Sequence, residues 1–162
     1  MAKAYLGFGS NLGTGKDNIL AAWKKLGEIP GIRPHILSSP YRTEPVGMDS
    51  DNIFTNAAGL IDTDLACDLL LERLLAVETS MGRDRTKGRD RIIDLDLLLY
   101  DDIILTQKGL TIPHPELQHR FFVLAPLAEI AHDYYHPVLH RTIEELLNDI
   151  SPSQRAGDKS SW

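Results

Sequence analysis

Asp94 and Asp96, in the run Arg91-Ile92-Ile93-Asp94-Leu95-Asp96-Leu97-Leu98-Leu99-Tyr100, are the residues whose type and spacing point most directly to chemistry. The run is short and rich in Ile and Leu, which predicts a strand. Side chains alternate between faces along a strand. Ile93, Leu95, Leu97 and Leu99 would therefore form one apolar face, with the two aspartates side by side on the other, about 7 Å apart. Carboxylates among apolar neighbours are costly to bury unless a cation compensates them. Hard oxygen ligands select Mg²⁺ or Ca²⁺ over zinc, and Mg²⁺ usually takes one or two protein carboxylates together with substrate phosphates.

The preceding segment suggests what such an ion would serve. Arg83, Arg85, Lys87, Arg89 and Arg91 recur at every second residue of Gly82-Arg83-Asp84-Arg85-Thr86-Lys87-Gly88-Arg89-Asp90-Arg91. An extended arm would aim all five cations the same way, as a phosphate clamp ending at the metal site. The plainer alternative is a solvated charged arm, partly neutralised by Asp84 and Asp90. Joined to the aspartates, the arm supplies the recurring parts of phosphoryl transfer: metal-bridged phosphates with Arg absorbing charge.

The elements that must position these groups can be read outward from them. Residues 64–81 predict a helix whose stripe is Cys67, Leu70, Leu71, Leu74, Val77 and Met81. Glu78 interrupts the stripe near the helix C-terminus, where both apolar neighbours and the helix dipole disfavour it. A local rule broken in this way marks a site residue; an ion pair with Arg83 or Arg85 is the alternative. Residues 4–8 predict a first strand, leading into the glycine-rich turn Gly7-Phe8-Gly9-Ser10-Asn11-Leu12-Gly13. Neither the dinucleotide nor the P-loop fingerprint fits that turn. Thr14 and Asp17 have capping-box spacing before a helix carrying Ile19, Ala22, Trp23 and Leu26, which Gly27 ends.

Residues 32–39 predict a second strand, followed by the Pro- and Gly-bearing loop Ser39-Pro40-Tyr41-Arg42-Thr43-Glu44-Pro45-Val46-Gly47. Residues 54–61 predict a third strand, with Phe54 and Asn56 on one face. Asp101-Asp102 is a turn, 103–105 and 110–112 are short strands, and 115–131 is helical, in one or two pieces. His132, His136 and His140 imitate a helical metal site, but Pro137 breaks that helix, so surface or loop histidines without metal are expected. Residues 142–147 form a last short helix, and 151–162 are a polar tail.

The whole chain bounds the reading. Its 162 residues fit one domain, with the tail from about 151. Seventeen basic against twenty-three acidic residues, a net charge of −6, argue against nucleic acid or an anionic membrane as partner. A single cysteine, Cys67, suits packing and a reducing compartment. With no signal peptide or spanning apolar run at hand, a cytoplasmic monomer is expected.

With these segments placed, the chain resembles the 6-hydroxymethyl-7,8-dihydropterin pyrophosphokinases over residues 4–131. The landmarks are Gly9-Ser10-Asn11-Leu12-Gly13, Tyr41-Arg42-Thr43 with Pro45 and Gly47, and Phe54 with Asn56-Ala57. They continue with Glu78 and Gly82-Arg83, Arg91 and Asp94-Leu95-Asp96, and Pro113-His114 with Arg120 and Phe122. The resemblance implies an α+β, ferredoxin-like fold with helices on a mostly antiparallel sheet. It implies transfer of pyrophosphate from ATP to the pterin alcohol, with AMP leaving, in folate biosynthesis. Asp94 and Asp96 would bind two Mg²⁺ ions, and with Arg83 and Arg91 they would form the catalytic set. Glu78, Arg85, Arg91, Leu97, Thr111, His114 and Arg120 would line ATP. Phe54 and Phe122 would stack on the pterin, while Asn56 and the backbone around Thr43 and Val46 read its edge. The chain departs from the family pattern at Gly88-Arg89-Asp90, where an aromatic-Gly-Pro run is usual, and at Leu75 and Pro115. Rival classes are a nucleotidyltransferase, which would release pyrophosphate instead of AMP, and a non-enzymatic ATP- or Mg²⁺-binding module, which leaves Phe54, Asn56 and Phe122 without a purpose.

Overall fold

The computed structural model describes residues 1–43, 52–88, 90–155 and 157–162. Five strands form a path across a six-stranded antiparallel sheet in the order β5 (Asp94–Tyr100), β1 (Ala2–Ser10), β4 (Phe54–Thr63), β3 (Tyr41–Thr43) and β8 (Asp158–Lys159). The sixth, β2 (Ile32–Leu37), shares the outer edge of β4 with β3: Leu37 pairs with Gly59 and Tyr41 with Asn56. A separate two-stranded sheet joins β6 (Leu105–Gln107) to β7 (Leu110–Ile112). Helices α1 (Gly15–Gly27) and α2 (Cys67–Ser80) cover one face of the main sheet, and α3 (Phe121–Ala131) and α4 (Ile143–Asn148) cover the other. Among the described residues no helix is long and apolar enough to cross a membrane.

Two apolar cores result. Ile19, Ala22 and Leu26 of α1 and Leu70, Leu74 and Val77 of α2 pack on Leu6, Phe8, Ile61, Ile93, Leu95 and Leu97. Leu124 and Leu127 of α3 and Ile143 and Leu146 of α4 pack on Tyr5, Ala58, Leu60, Leu98 and Leu99. Leu99 therefore lies on the opposite face from Ile93, Leu95 and Leu97, contrary to simple alternation. A bulge explains it: Tyr5 pairs with Leu99 but the next residue, Leu6, pairs with Leu97, so Leu98 is the extra residue and the parity flips.

Other expectations shift in similar ways. Gly7-Phe8-Gly9-Ser10 belongs to β1 instead of a turn. Thr14 is the N-cap of α1, but its side chain makes no capping bond; the capping box that does form joins Thr142 and Glu145 at α4. The strand expected over 103–105 is displaced to Leu105–Gln107. The region 115–131 is helical in two pieces, a 3₁₀ turn at Leu117–His119 and then α3. His132 and His140 are exposed loop residues, whereas His136 is buried, its Nδ1 accepting the backbone N–H groups of Val138 and Leu139 at 3.2 and 3.1 Å. The tail is folded back onto the sheet as β8.

Gly59 shows how closely α1 sits on the sheet. A Cβ there would lie 2.6 Å from the Trp23 ring and 3.0 Å from that of Phe8, rings that meet edge to face with centroids 5.9 Å apart. Replacing Gly59 with Ala should cost about 1–3 kcal/mol by overpacking. Denaturant titration should show a lower midpoint with an unchanged slope.

Candidate active site

The site grows from one row of paired residues across the sheet. Asp94 pairs with Gly9, Gly9 with Asn56, and Asn56 with Tyr41. In the next row on the same face, Asp96 pairs with Gly7 and Gly7 with Ala58. The central strand thus carries glycine at both levels. A Cβ on Gly9 would stand 3.3 Å from Asn56 Oδ1 and 3.9 Å from Asp94 Cβ, so its absence opens a trough with a carboxylate on one wall and a carboxamide on the other. Gly9 carries no group that marks it in the sequence, because its contribution is missing volume; at Gly7 the corresponding space is filled by the Leu98 side chain, 3.5 Å from where a Cβ would stand.

Charge around the trough is unevenly matched. Arg91 Nη2 stands 3.4 Å from Asp94 Oδ2, and Arg83 Nη1 3.8 Å from Asp94 Oδ1. No hydrogen-bond donor among the described residues reaches the carboxylate of Asp96. Burial, reinforced by the charge of Asp94, pushes its pKa up to about 7. Arg83 is nearly buried, and its Nη1 has no hydrogen-bond partner among the described residues. Burial holds the Arg83 pKa below its ordinary value. The two hard-oxygen carboxylates on one face, one of them without donors, fit a hard divalent cation. The orphaned guanidinium nitrogen beside them fits a phosphate oxygen.

Glu78 is 2 % exposed, yet both its oxygens are used. Oε2 accepts the backbone N–H of Leu95 at 2.7 Å and Oε1 accepts from Arg85 Nη2 at 2.8 Å. Burial is the largest influence on Glu78 and raises its pKa, while the Leu95 bond acts the other way. The side chain therefore ties the end of α2 to the edge strand β5 and holds Arg85 over the site. Of the two readings of Glu78, the ion pair with Arg85 is the one that forms.

The arm is not an extended clamp. Gly82 and Gly88 take positive φ of 98° and 92°, and Arg85–Lys87 form a 3₁₀ turn capped by Asp84, which accepts from Thr86 N–H at 3.0 Å. Alternation fails in that turn: Arg83 and Arg91 converge on Asp94, and Arg85 is diverted to Glu78. Arg89 and Val46 lie outside the described residues.

The remaining predicted residues divide. The Arg91 guanidinium sits 4.9 Å over the Phe54 ring and that of Arg120 is 6.0 Å from the Phe122 ring. Asn56 Nδ2 donates to Thr43 Oγ1 at 2.9 Å, which fixes the carboxamide. Arg120 acts electrostatically on both Asp96 and His114, and burial lowers the His114 pKa. Thr111 lies on β7, opposite Thr106. Leu97 is a correction: its side chain is buried in the α1/α2 core, away from the aspartates, so only its backbone on β5 is available to a ligand.

Asn11 was read only as part of a turn. It is 5 % exposed, accepts the Arg91 N–H at 2.7 Å on Oδ1, donates from Nδ2 to Asp90 Oδ1 at 2.7 Å, and donates its own N–H to Arg91 O at 3.1 Å. Its side chain brackets the end of the arm from 79 and 80 residues away.

The antiparallel sheet with helices on both faces is a ferredoxin-like α+β fold, and it gathers Asp94, Asn56 and the arginines Arg83 and Arg91 about one glycine-bearing strand. Comparison with known proteins narrows it. Residues 5–132 match the family model for 7,8-dihydro-6-hydroxymethylpterin-pyrophosphokinase (HPPK), and the chain belongs to that family. It is 40% identical over 154 residues to 2-amino-4-hydroxy-6-hydroxymethyldihydropteridine pyrophosphokinase of Methylorubrum extorquens, covering 94% of this chain and 96% of the relative. The Haemophilus influenzae protein of the same description is 37% identical over 138 residues, 85% of this chain and 86% of the relative. Among solved structures, a Plasmodium falciparum HPPK-DHPS with pteroate superposes with a TM-score of 0.74 at 17% identity, over 91% of this chain; this chain spans 42% of that one. That likeness bears on the fold.

Replacing Asn11 with Ala should free the end of the arm. The amide of Arg91 loses its acceptor, so its hydrogen exchange should accelerate, and global stability should fall by about 1–2 kcal/mol. Unchanged exchange at Arg91 would contradict the bracket.

Proposed function

We propose that the chain transfers pyrophosphate from ATP to 6-hydroxymethyl-7,8-dihydropterin through the trough around Gly9, giving AMP and the pterin diphosphate for tetrahydrofolate biosynthesis. The observation that carries the residue assignment is the row Asp94, Gly9, Asn56, which sets a carboxylate for phosphate chemistry and a carboxamide for heterocycle recognition on two walls of one trough.

In this reading the hydroxymethyl oxygen attacks the β-phosphorus of ATP in line, the new O–P bond forms, and the bond from that phosphorus to the α-phosphate oxygen breaks to release AMP. Phe54 and Phe122 stack on the pterin, each exchanging its guanidinium neighbour for the ring. Asn56 reads the heterocycle edge, its amide fixed by Thr43, and the backbone around Thr43 and Val46 contributes to the same recognition. Arg83 and Arg91 absorb the charge that develops on the transferring group, and Asp94 orients the attacking hydroxyl. Glu78, Arg85, Thr111, His114, Arg120 and the backbone of Leu97 line ATP. Asp94 and Asp96 would hold two Mg²⁺ ions, which when bound neutralise phosphate charge and lower the alcohol's pKa. The chain acts as a single pyrophosphokinase domain and a cytoplasmic monomer on these small molecules, in keeping with its acidic balance and single cysteine.

The test is separation of adenine nucleotides after incubation with ATP, Mg²⁺ and the reduced hydroxymethylpterin. Pterin-dependent AMP is expected; ADP or free pyrophosphate would mean another transferase. Asp96→Ala should lower turnover by about two orders of magnitude or more. Its unfolding temperature should stay equal or rise, because no donor among the described residues reaches the carboxylate removed. Near-normal turnover would overturn the metal assignment.

A further inference from the structure

β3 is three residues long, yet its last residue, Thr43, orients Asn56. A strand this short has little hold on its own. What surrounds it is therefore informative, and much of it comes from the C-terminal end. Tyr41 pairs with Lys159 and Arg42 with Asp158, so β8 closes the free edge of β3. Ser160 N–H donates to Pro40 O at 2.8 Å, and Trp162 Nε1 donates to Ser38 O at 3.0 Å. Lys16 Nζ donates to Ser161 O at 2.6 Å, which anchors the tail to the first turn of α1.

The closest approach falls on Thr43 itself. Gly157 has φ of +124°, and a Cβ there would lie 2.5 Å from both Arg42 O and Thr43 Cγ2. No side chain fits between the tail and this threonine.

Glu129 of α3 completes the hold. Its Oε1 accepts from Ser39 N–H and Ser39 Oγ at 2.9 and 2.8 Å, and its Oε2 accepts from Tyr41 Oη at 2.8 Å. Lys159 Nζ lies 3.7 Å from the same Oε2, so the carboxylate pins β3 and β8 together.

We infer that residues 157–162, with Glu129, are positioning elements of the pterin subsite, acting through Thr43 and Asn56 and not by touching substrate. The inference rests on the reading that Thr43 and Asn56 receive the pterin. None of these residues lies on the wall that carries Asp94 and Asp96, so their effect falls on one substrate.

The test measures KM for pterin and for ATP separately in the full-length protein carrying Gly157→Ala, Trp162→Ala or Asn56→Ala. Gly157→Ala drives a methyl group against Thr43 and should raise the pterin KM about fivefold or more, with the ATP KM held within about twofold. Trp162→Ala, which leaves the β8 backbone alone, should act in the same direction and decides the matter if Gly157→Ala does not fold. A role in stability alone would lower the unfolding temperature and leave the pterin KM unmoved; that result overturns the inference, as does an equal rise in both KM values. If Asn56→Ala raises the pterin KM and the tail variants do not, the inference fails and the site reading stands. If Asn56→Ala leaves it unchanged, the site reading fails and takes the inference with it.

Discussion

Two like charges on one face of a strand are the constraint around which this molecule is arranged. At about 7 Å and an effective dielectric near 20, two carboxylates repel by about 2 kcal/mol before any cost of burial. Among the described residues, only Asp94 of the two is relieved by a direct ion pair. Asp94 has Arg91 and Arg83, whereas Asp96 has no donor among the described residues and keeps a raised pKa. Glu78 brings a third carboxylate close by, but its oxygens are spent on Leu95 N–H and Arg85. The arginines thus pair directly with Asp94 and Glu78, while Arg120 and Arg91 act on Asp96 only through space and do not offset its burial. On the function proposed above, a hard cation carried in with the nucleotide would compensate that remaining charge.

The sheet makes the same constraint useful by where it places empty space. β1 has strands on both sides, so its backbone is fully paired and its position well determined. Glycine at position 9 makes that rigid strand the floor of a trough between Asp94 and Asn56. Asp94 and Asn56 are then separated by one strand on either side of a residue without a side chain, about 10 Å between backbones by strand spacing. The distance is set by hydrogen-bond geometry that no loop movement can alter.

How much of this was legible in the sequence depends on whether the determinant is local. The Asp94 and Asp96 pair follows from a two-residue period and survives; Leu99 does not follow, because the bulge at Leu98 belongs to the pairing of two strands and neither strand alone encodes it. Glu78 stood out because it violated its own helix. The five-cation clamp did not survive, since alternation presumes an extended backbone and Gly82 and Gly88 turn it. Gly9 reads as punctuation when seen alone, and becomes the floor of a trough only beside β4 and β5. Asn11, Glu129 and Trp162 act on partners 79, 88 and 124 residues away, where one sequence carries no signal of contact.

The same distinction separates the two halves of the site. Phosphate chemistry needs charges at set distances, and a central strand flanked by two cores supplies distance directly. Recognition of a flat heterocycle needs angle as well, and here the angle of the Asn56 carboxamide depends on Thr43, at the end of a three-residue strand. A strand of that length has little hold on its own. The contacts that hold β3 come from α3 and from the far end of the chain, the parts farthest in sequence from the aspartates. The two carboxylates thus stand on one edge strand of the sheet, β5, and the contacts that orient Asn56 reach it from the opposite side, through β3 and β8, where small changes in packing act on Asn56 without disturbing Asp94.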